Sequence, residues 1–320
     1  MPLDPIIAPL LVDYSEGPGV IEDYEAFREE VRRNVEAGLP QLAEPGPEVR
    51  SVEDHTIAVH DGSIVLRVYR PLTDEPRPMH LYFHGGGWVL GSAYDAMTDI
   101  TCRERAAMAG HVVVAVDYRK APEHKFPTAL DDAYAALLWI SGHHGEIGGR
   151  PDLVTVGGGS AGGNIAAALA LKVRDEGGPP ITLQVLEVPV LDLTFSQPSY
   201  DLYGSGYALS SGAMEGARRD YLSSPGDRTN PYASPLLARD LRGLPPAFII
   251  GAEFDVVRDD GAAYAERLNE AGVPASFALQ LGQVHSSSLF TKISPAARVW
   301  RGQVIEALRG VWVARSRSSS

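Results

Sequence analysis

Cysteine is nearly absent. Cys102 is the single thiol in 320 residues, so no intrachain disulfide can form. Its expected role is that of a small buried hydrophobe. Positive charge is also scarce: 28 Lys and Arg stand against 41 Asp and Glu, a formal −13. With no basic stripe to relieve that charge, nucleic acid is a poor candidate for the main partner. Long apolar runs are missing too, and nothing approaches the roughly 18 residues of a membrane span. The start, MPLDPIIAPLLVDYSEG, has an apolar patch broken by Pro and Asp but no basic stretch before it. It makes a poor signal peptide, and a cytoplasmic protein is the expectation. Internal repeats and low-complexity segments are lacking as well, apart from an RSRSSS end expected to be frayed.

What is present is ordinary globular composition, with 44% hydrophobic residues in recurring short runs. Val20, Tyr24, Phe27, Val31 and Val35 recur at helical spacing, so residues 20–39 read as an amphipathic helix. Two alternating runs, His55–His60 and Ser63–Tyr69, flank Asp61-Gly62, a strong hairpin signal. Buried strands then alternate with helices. His80–Phe83, Val112–Val116, Leu153–Val156, Ile181–Val188 and Ala247–Ile250 are short apolar runs of the kind covered on both faces. Leu130, Ala133, Leu137 and Ile140 mark one helix face, Ile165–Val173 an Ala-rich helix, and Asp260–Ala271 and Ala296–Val313 two later helices. The fold class is therefore α/β: a mostly parallel central sheet, antiparallel at its start, flanked by helices.

One stretch breaks the rhythm. Between Leu191 and Leu244 no strong buried strand appears, only a short helix near Gly212–Leu222. An insertion after a strand's carboxyl end sits above the crevice of an α/β enzyme. Residues 192–232 are read as a cap insertion and 1–45 as its N-terminal helical part, with 46–191 and 233–320 forming the core.

The sharpest motif is Gly158-Gly159-Ser160-Ala161-Gly162, with the run DLVTV before it and the Ala-rich helix after it. A serine on a strand-to-helix turn needs small neighbours, and the helix N-terminus behind it favours developing negative charge. The pattern matches the known nucleophile-elbow motif, and it makes Ser160 the candidate nucleophile. His84-Gly85-Gly86-Gly87-Trp88 follows the strand-like HLYF. Three glycines in a row cost backbone entropy, and a loop whose N–H groups face an oxyanion gives them a reason. Gly86, Gly87 and Ala161 are the candidate donors. A phosphate loop is excluded, because neither glycine run has the Gly-Lys-Ser/Thr ending or the dinucleotide fingerprint.

The base must come from nine histidines. His285, after the run ASFALQLG, is selected by position, since this fold's triad runs Ser, then Asp or Glu, then His. Asp255 lies in the first turn past the strand that begins at Ala247, from which a carboxylate can reach the imidazole. Asp259 and Asp260 are expected to begin the next helix, and Glu253 is the reserve acid. Trp88, Tyr203 and Tyr207 are candidate pocket residues; ordinary packing is the competing account of each.

With these residues in place the chain resembles the bacterial hormone-sensitive-lipase-like esterases. The landmarks are HGGGW (84–88), DYRKAPEHKFPTALDDAYAAL (117–137), GGGSAGGN (157–164), NPYASPLL (230–237) and LPPAFIIGAEFD (244–255), in that order. Residues 172–194 and the serine after His285 look closest to heroin-esterase-like acetylesterases. The resemblance implies an α/β-hydrolase fold with a helical cap and a serine carboxylesterase acting on short- to medium-chain esters, with no cofactor and no metal. It implies the triad Ser160, Asp255 and His285; a homodimer fits it, on family likeness alone. Three departures stand out: Gly159 where many relatives have Asp, DVVRDDG for DPLRDEG, and His285-Ser286-Ser287 for His-Gly-Phe. Two other functions compete. Related acyl chemistry on amides, carbamates or lactones would use the same groups. A small-molecule receptor on this fold would be expected to have lost a triad residue, and here all three are present.

Overall fold

The expected hairpin opens the sheet. The computed structural model describes residues 2–11, 19 and 21–318, with side chains up to Trp312. Strands β1 (Ser51–Val59) and β2 (Gly62–Arg70) pair antiparallel through Val59↔Gly62, with Asp61 in the left-handed conformation. β2 then pairs antiparallel with β4 (Val112–Asp117). From β4 onward the sheet is parallel: β3 (Arg77–Phe83), β5 (Gly149–Gly159), β6 (Leu183–Glu187), β7 (Ala247–Phe254) and β8 (Ala275–Val284). The order is β1-β2-β4-β3-β5-β6-β7-β8, so the chain reverses its direction of travel between β3 and β5. In open α/β sheets, ligand crevices form where the order reverses, beyond the carboxyl ends of the strands.

The helices are α1 (Tyr24–Leu42), α2 (Ala96–Ala109), α3 (Thr128–Gly142), α4 (His144–Ile147), α5 (Ala161–Glu176), α6 (Pro198–Leu202), α7 (Ser211–Tyr221), α8 (Arg258–Glu270) and α9 (Pro295–Ser318). The α3 face Leu130, Ala133, Leu137 and Ile140 is fully buried, as its spacing requires, and so is the α5 run from Ile165 to Leu171. Helix α2 has no counterpart in the sequence reading. Its buried face is Thr98, Thr101, Cys102, Arg105 and Ala106, so the apolar periodicity that marks a helix is missing. Burial pushes the Cys102 thiol up to about 12, in keeping with its inert packing role.

Helix α1 is capped by Asp23, whose carboxylate accepts the Ala26 N–H at 3.0 Å. It starts four residues later than expected, and Val20 lies outside the described residues. Phe27, Val31 and Val35 are only half-buried, because the face they form borders a cavity instead of the core. At the other end α9 continues to Ser318, into the RSRSSS end; Ser319 and Ser320 lie outside the described residues. Among the described residues no helix is long and apolar enough to cross a membrane.

Candidate active site

Ser160 leaves the carboxyl end of β5, a strand flanked by β3 (Phe83↔Gly158) and β6 (Gly159↔Glu187). Its backbone sits at φ 55, ψ −119, a region that costs a residue with a Cβ on the order of 1–3 kcal/mol. Three backbone hydrogen bonds hold it there, one of them from the Val190 N–H to the Ser160 carbonyl at 3.4 Å. The Ser160 N–H donates to the Glu187 carbonyl at 2.8 Å, and the Ser160 carbonyl accepts from Asn164 N–H at 3.1 Å, which starts α5. A Cβ on Gly162 would overlap the Phe83 carbonyl and stand 2.6 Å from the His84 carbonyl, so the helix can approach β3 only with glycine there. The expected crowding fails at Gly159, where a Cβ would meet nothing nearer than the Glu187 oxygen at 3.9 Å. That position has room for a side chain, so the aspartate of many relatives would be accommodated.

Because β3 and β5 are neighbours, the loop after Phe83 runs beside Ser160. A Cβ on Gly85 would be 3.6 Å from that of Ser160. Gly86 and Gly87 have φ of +112 and +59, conformations that favour glycine, and neither N–H donates a hydrogen bond among the described residues. Ala161 is the first residue of α5, where a helix leaves its N–H without an intrahelical partner. The loop is fixed from behind. Tyr118 donates its hydroxyl to the His84 carbonyl at 2.9 Å and stacks on the His84 ring at 4.2 Å. Burial lowers the His84 pKa to about 4, so the imidazole is neutral at pH 7.

Asp255 and His285 emerge side by side for the same topological reason. β7 and β8 are paired at Phe254↔Val284, and the next residue of each strand is the acid and the histidine. His285 Nδ1 lies 2.7 Å from Asp255 Oδ2, with Asp255 buried at 1% exposure. The other carboxylate oxygen accepts the Val257 N–H at 3.2 Å. Glu253 instead accepts the Gly282 N–H at 2.7 Å. Asp259 and Asp260 begin α8 as expected, but Asp260 does more. One of its oxygens accepts the N–H groups of Leu191 and Asp192, pinning the start of the insertion, and burial holds its carboxyl well above the usual range.

Ser160, His285, Gly86, Gly87 and Trp88 border one cavity of about 1350 Å³. The remaining border includes Phe27 and Val31 of α1, and Leu209, Met214 and Ala217 from the insertion. The two segments meet above it, where Tyr24 donates to Asp220 at 2.6 Å. Asn164 fastens the insertion to α5 by donating to the carbonyls of Val190 and Ala233, both at 2.8 Å. Trp88 is buried and stacked on Tyr221 at 4.2 Å, so packing accounts for most of its surface. Tyr207 is a correction. It stacks on Phe254 and meets Tyr203 edge-on, outside the cavity border, and Tyr203 is held by Arg258 at 2.7 Å. Tyr203 and Tyr207 thus pack with each other and with Phe254, whereas Tyr221 packs behind Trp88.

Sequence reasoning missed a buried ionic network at the same cavity. Glu187 is bonded to Arg105, and its second oxygen accepts the Trp300 indole N–H at 2.9 Å. Arg105 also bonds His80 Nε2 at 2.8 Å, and Arg301 pairs with Glu104. The signal was visible: a histidine and a glutamate inside apolar strand runs, His80 and Glu187, break the expected pattern.

Fold and site geometry define the class, an α/β hydrolase. The family model described as alpha/beta hydrolase fold matches residues 80–289, and the chain belongs to that family, as its motifs implied. Among its relatives, the carboxylesterase NlhH of Mycobacterium tuberculosis is 38% identical over 320 residues, covering 96% of this chain and 95% of that protein. The carboxylic ester hydrolase LipN of the same organism is 37% identical over 303 residues, covering 92% and 78%. The solved hyperthermophilic esterase of the archaeon Pyrobaculum calidifontis superposes with a TM-score of 0.90 at 38% identity, covering 98% of this chain and 100% of that one.

Proposed function

We propose that this chain is a serine carboxylesterase that hydrolyses short- to medium-chain esters of small molecules through an acyl-enzyme on Ser160. His285 Nε2 takes the serine proton as Oγ attacks the ester carbonyl. The N–H groups of Gly86, Gly87 and Ala161 hold the oxyanion. The alcohol leaves with the proton from His285, and water repeats the two steps on the acyl-enzyme. Asp255, bonded to Nδ1, keeps the proton on that nitrogen and stabilises the imidazolium.

The observation that carries this reading is the convergence of three strand ends on one cavity, with a fourth behind them. Beyond β3 and β5 lie two N–H groups that donate to nothing among the described residues and a serine at positive φ, and beyond β8 a histidine on the cavity border is bonded to the buried carboxylate that follows β7. Carboxylesterase relatives of nearly full coverage support the ester as substrate. The test is hydrolysis of p-nitrophenyl esters from acetate to decanoate by wild type beside Ser160→Ala. A loss on the order of 10⁶ in kcat is expected. Near-full activity in a purified Ser160→Ala sample would overturn the assignment.

A further inference from the structure

Part of the wall of the cavity that Ser160 borders is polar and charged. The side formed by α2, α9, the ends of β3 and β6 and the turn after His285 presents Tyr82, Thr98, Thr101, Glu187, Ser288 and Arg301 to the space shared with Ser160. The charges on it are locked in place. Arg105 and the Trp300 indole hold the Glu187 carboxylate, and the Tyr82 ring lies 4.4 Å from the Arg105 guanidinium. Arg301 pairs with Glu104 and donates to Thr101 Oγ1 at 3.0 Å. Two guanidinium groups thus meet two carboxylates, so the wall favours no net charge on a ligand. It does offer hydrogen bonds. Thr98 is buried on this wall, and its hydroxyl has no partner among the described residues.

An alkyl chain pressed against such a surface strips water from polar groups and returns nothing. A chain that carries an uncharged oxygen replaces the displaced water. We propose that this wall makes the enzyme prefer esters whose chain bears an ether, hydroxyl or carbonyl oxygen over alkyl esters of the same length. The inference rests on the ester-hydrolase reading and narrows its substrate class.

The test uses pairs matched in length. On the acyl side, p-nitrophenyl 4-methoxybutanoate is compared with p-nitrophenyl hexanoate; on the alcohol side, 2-methoxyethyl acetate with butyl acetate. Each kcat/KM is divided by the ester's hydroxide-catalysed rate. One pair is expected to favour the oxygenated member by about tenfold, the scale of one hydrogen bond made in place of one lost. That pair also tells which chain meets the wall. Ratios at or below one in both pairs would overturn the proposal. Thr98→Val, which exchanges a hydroxyl for a methyl, and the double variant Glu104→Gln/Arg301→Met, which removes an ion pair together, are each expected to shrink the preference. Full retention of the preference in both variants would overturn the proposal as well. Absence of p-nitrophenyl acetate hydrolysis by the folded wild type would instead sink the ester-hydrolase reading itself, a distinguishable result.

Discussion

Replacing Asp255 by asparagine exchanges one oxygen for an NH2 group, and the structure decides which oxygen. Oδ1 accepts the Val257 N–H at 3.2 Å, and only an oxygen can stay there. The new NH2 therefore takes the place of Oδ2, 2.7 Å from His285 Nδ1. A donor facing Nδ1 requires that nitrogen to be an acceptor, so the imidazole proton moves to Nε2. The base is then capped on the side that must take the Ser160 proton. Asp255 itself is shielded from solvent at 1% exposure, so the direct contact with Nδ1 decides the tautomer. The imidazolium formed on attack also loses its adjacent negative charge. The same exchange in the chymotrypsin-type triad costs about 10⁴ in kcat, equivalent to roughly 5.5 kcal/mol, and a loss of 10³–10⁴ is expected here. The assay is p-nitrophenyl acetate turnover by Asp255→Asn, with a denaturant midpoint to establish that the variant is folded. A loss smaller than tenfold in kcat would refute the reasoning, and a comparable loss in Glu253→Gln would move the acid to that residue.

Further outcomes follow from packing and charge. Gly162→Ala, whose methyl would overlap the Phe83 carbonyl, should lower stability by about 1–3 kcal/mol; an unchanged denaturant midpoint would show that α5 can shift away from β3. Burial depresses His84 and His111 to about 4, and His80 also lies well below its ordinary value. The unfolded chain therefore binds more protons below about pH 6.5, so stability is present above that pH and is lost as pH falls toward 4. At pH 5 the loss from His84 and His111 is about 2 kcal/mol each. The raised carboxyl of Asp260 works in the opposite direction and offsets part of it. Urea midpoints at pH 7.5, 6 and 5 should fall in that order, and a flat or rising series would contradict it. Tyr207→Ala should leave the chain-length preference unchanged, because that ring packs on Phe254 outside the cavity border; a shifted optimum in the ester series would show that the insertion rearranges around substrate.

The proposed catalytic residues were legible because each is tied to a strand end. A five-residue turn after DLVTV, a glycine run after HLYF, and an acid and a histidine after two further strands are local patterns, and a parallel sheet brings such ends together without further instruction. The insertion after β6 was legible only as a break in rhythm. Nothing local told whether Tyr203 and Tyr207 turn inward, and they stack on each other and on Phe254 instead. Helix α2 was not legible for a related reason: its inner face is Thr, Cys, Arg and Ala, so no apolar stripe marks it.

That failure and the cavity's polar wall have one cause. Arg105 can face inward only because Glu187 interrupts the apolar run of β6 to meet it, and Glu187 in turn is the residue whose carbonyl receives the Ser160 N–H. A buried carboxylate stripped of its partners costs several kcal/mol, so removing either side of the pair would be felt along β6. A charge inside a strand that is otherwise apolar is thus not noise in the hydrophobic pattern. In this chain it marks the residue that joins the backbone of Ser160 to the helices on which the polar side of the cavity is built.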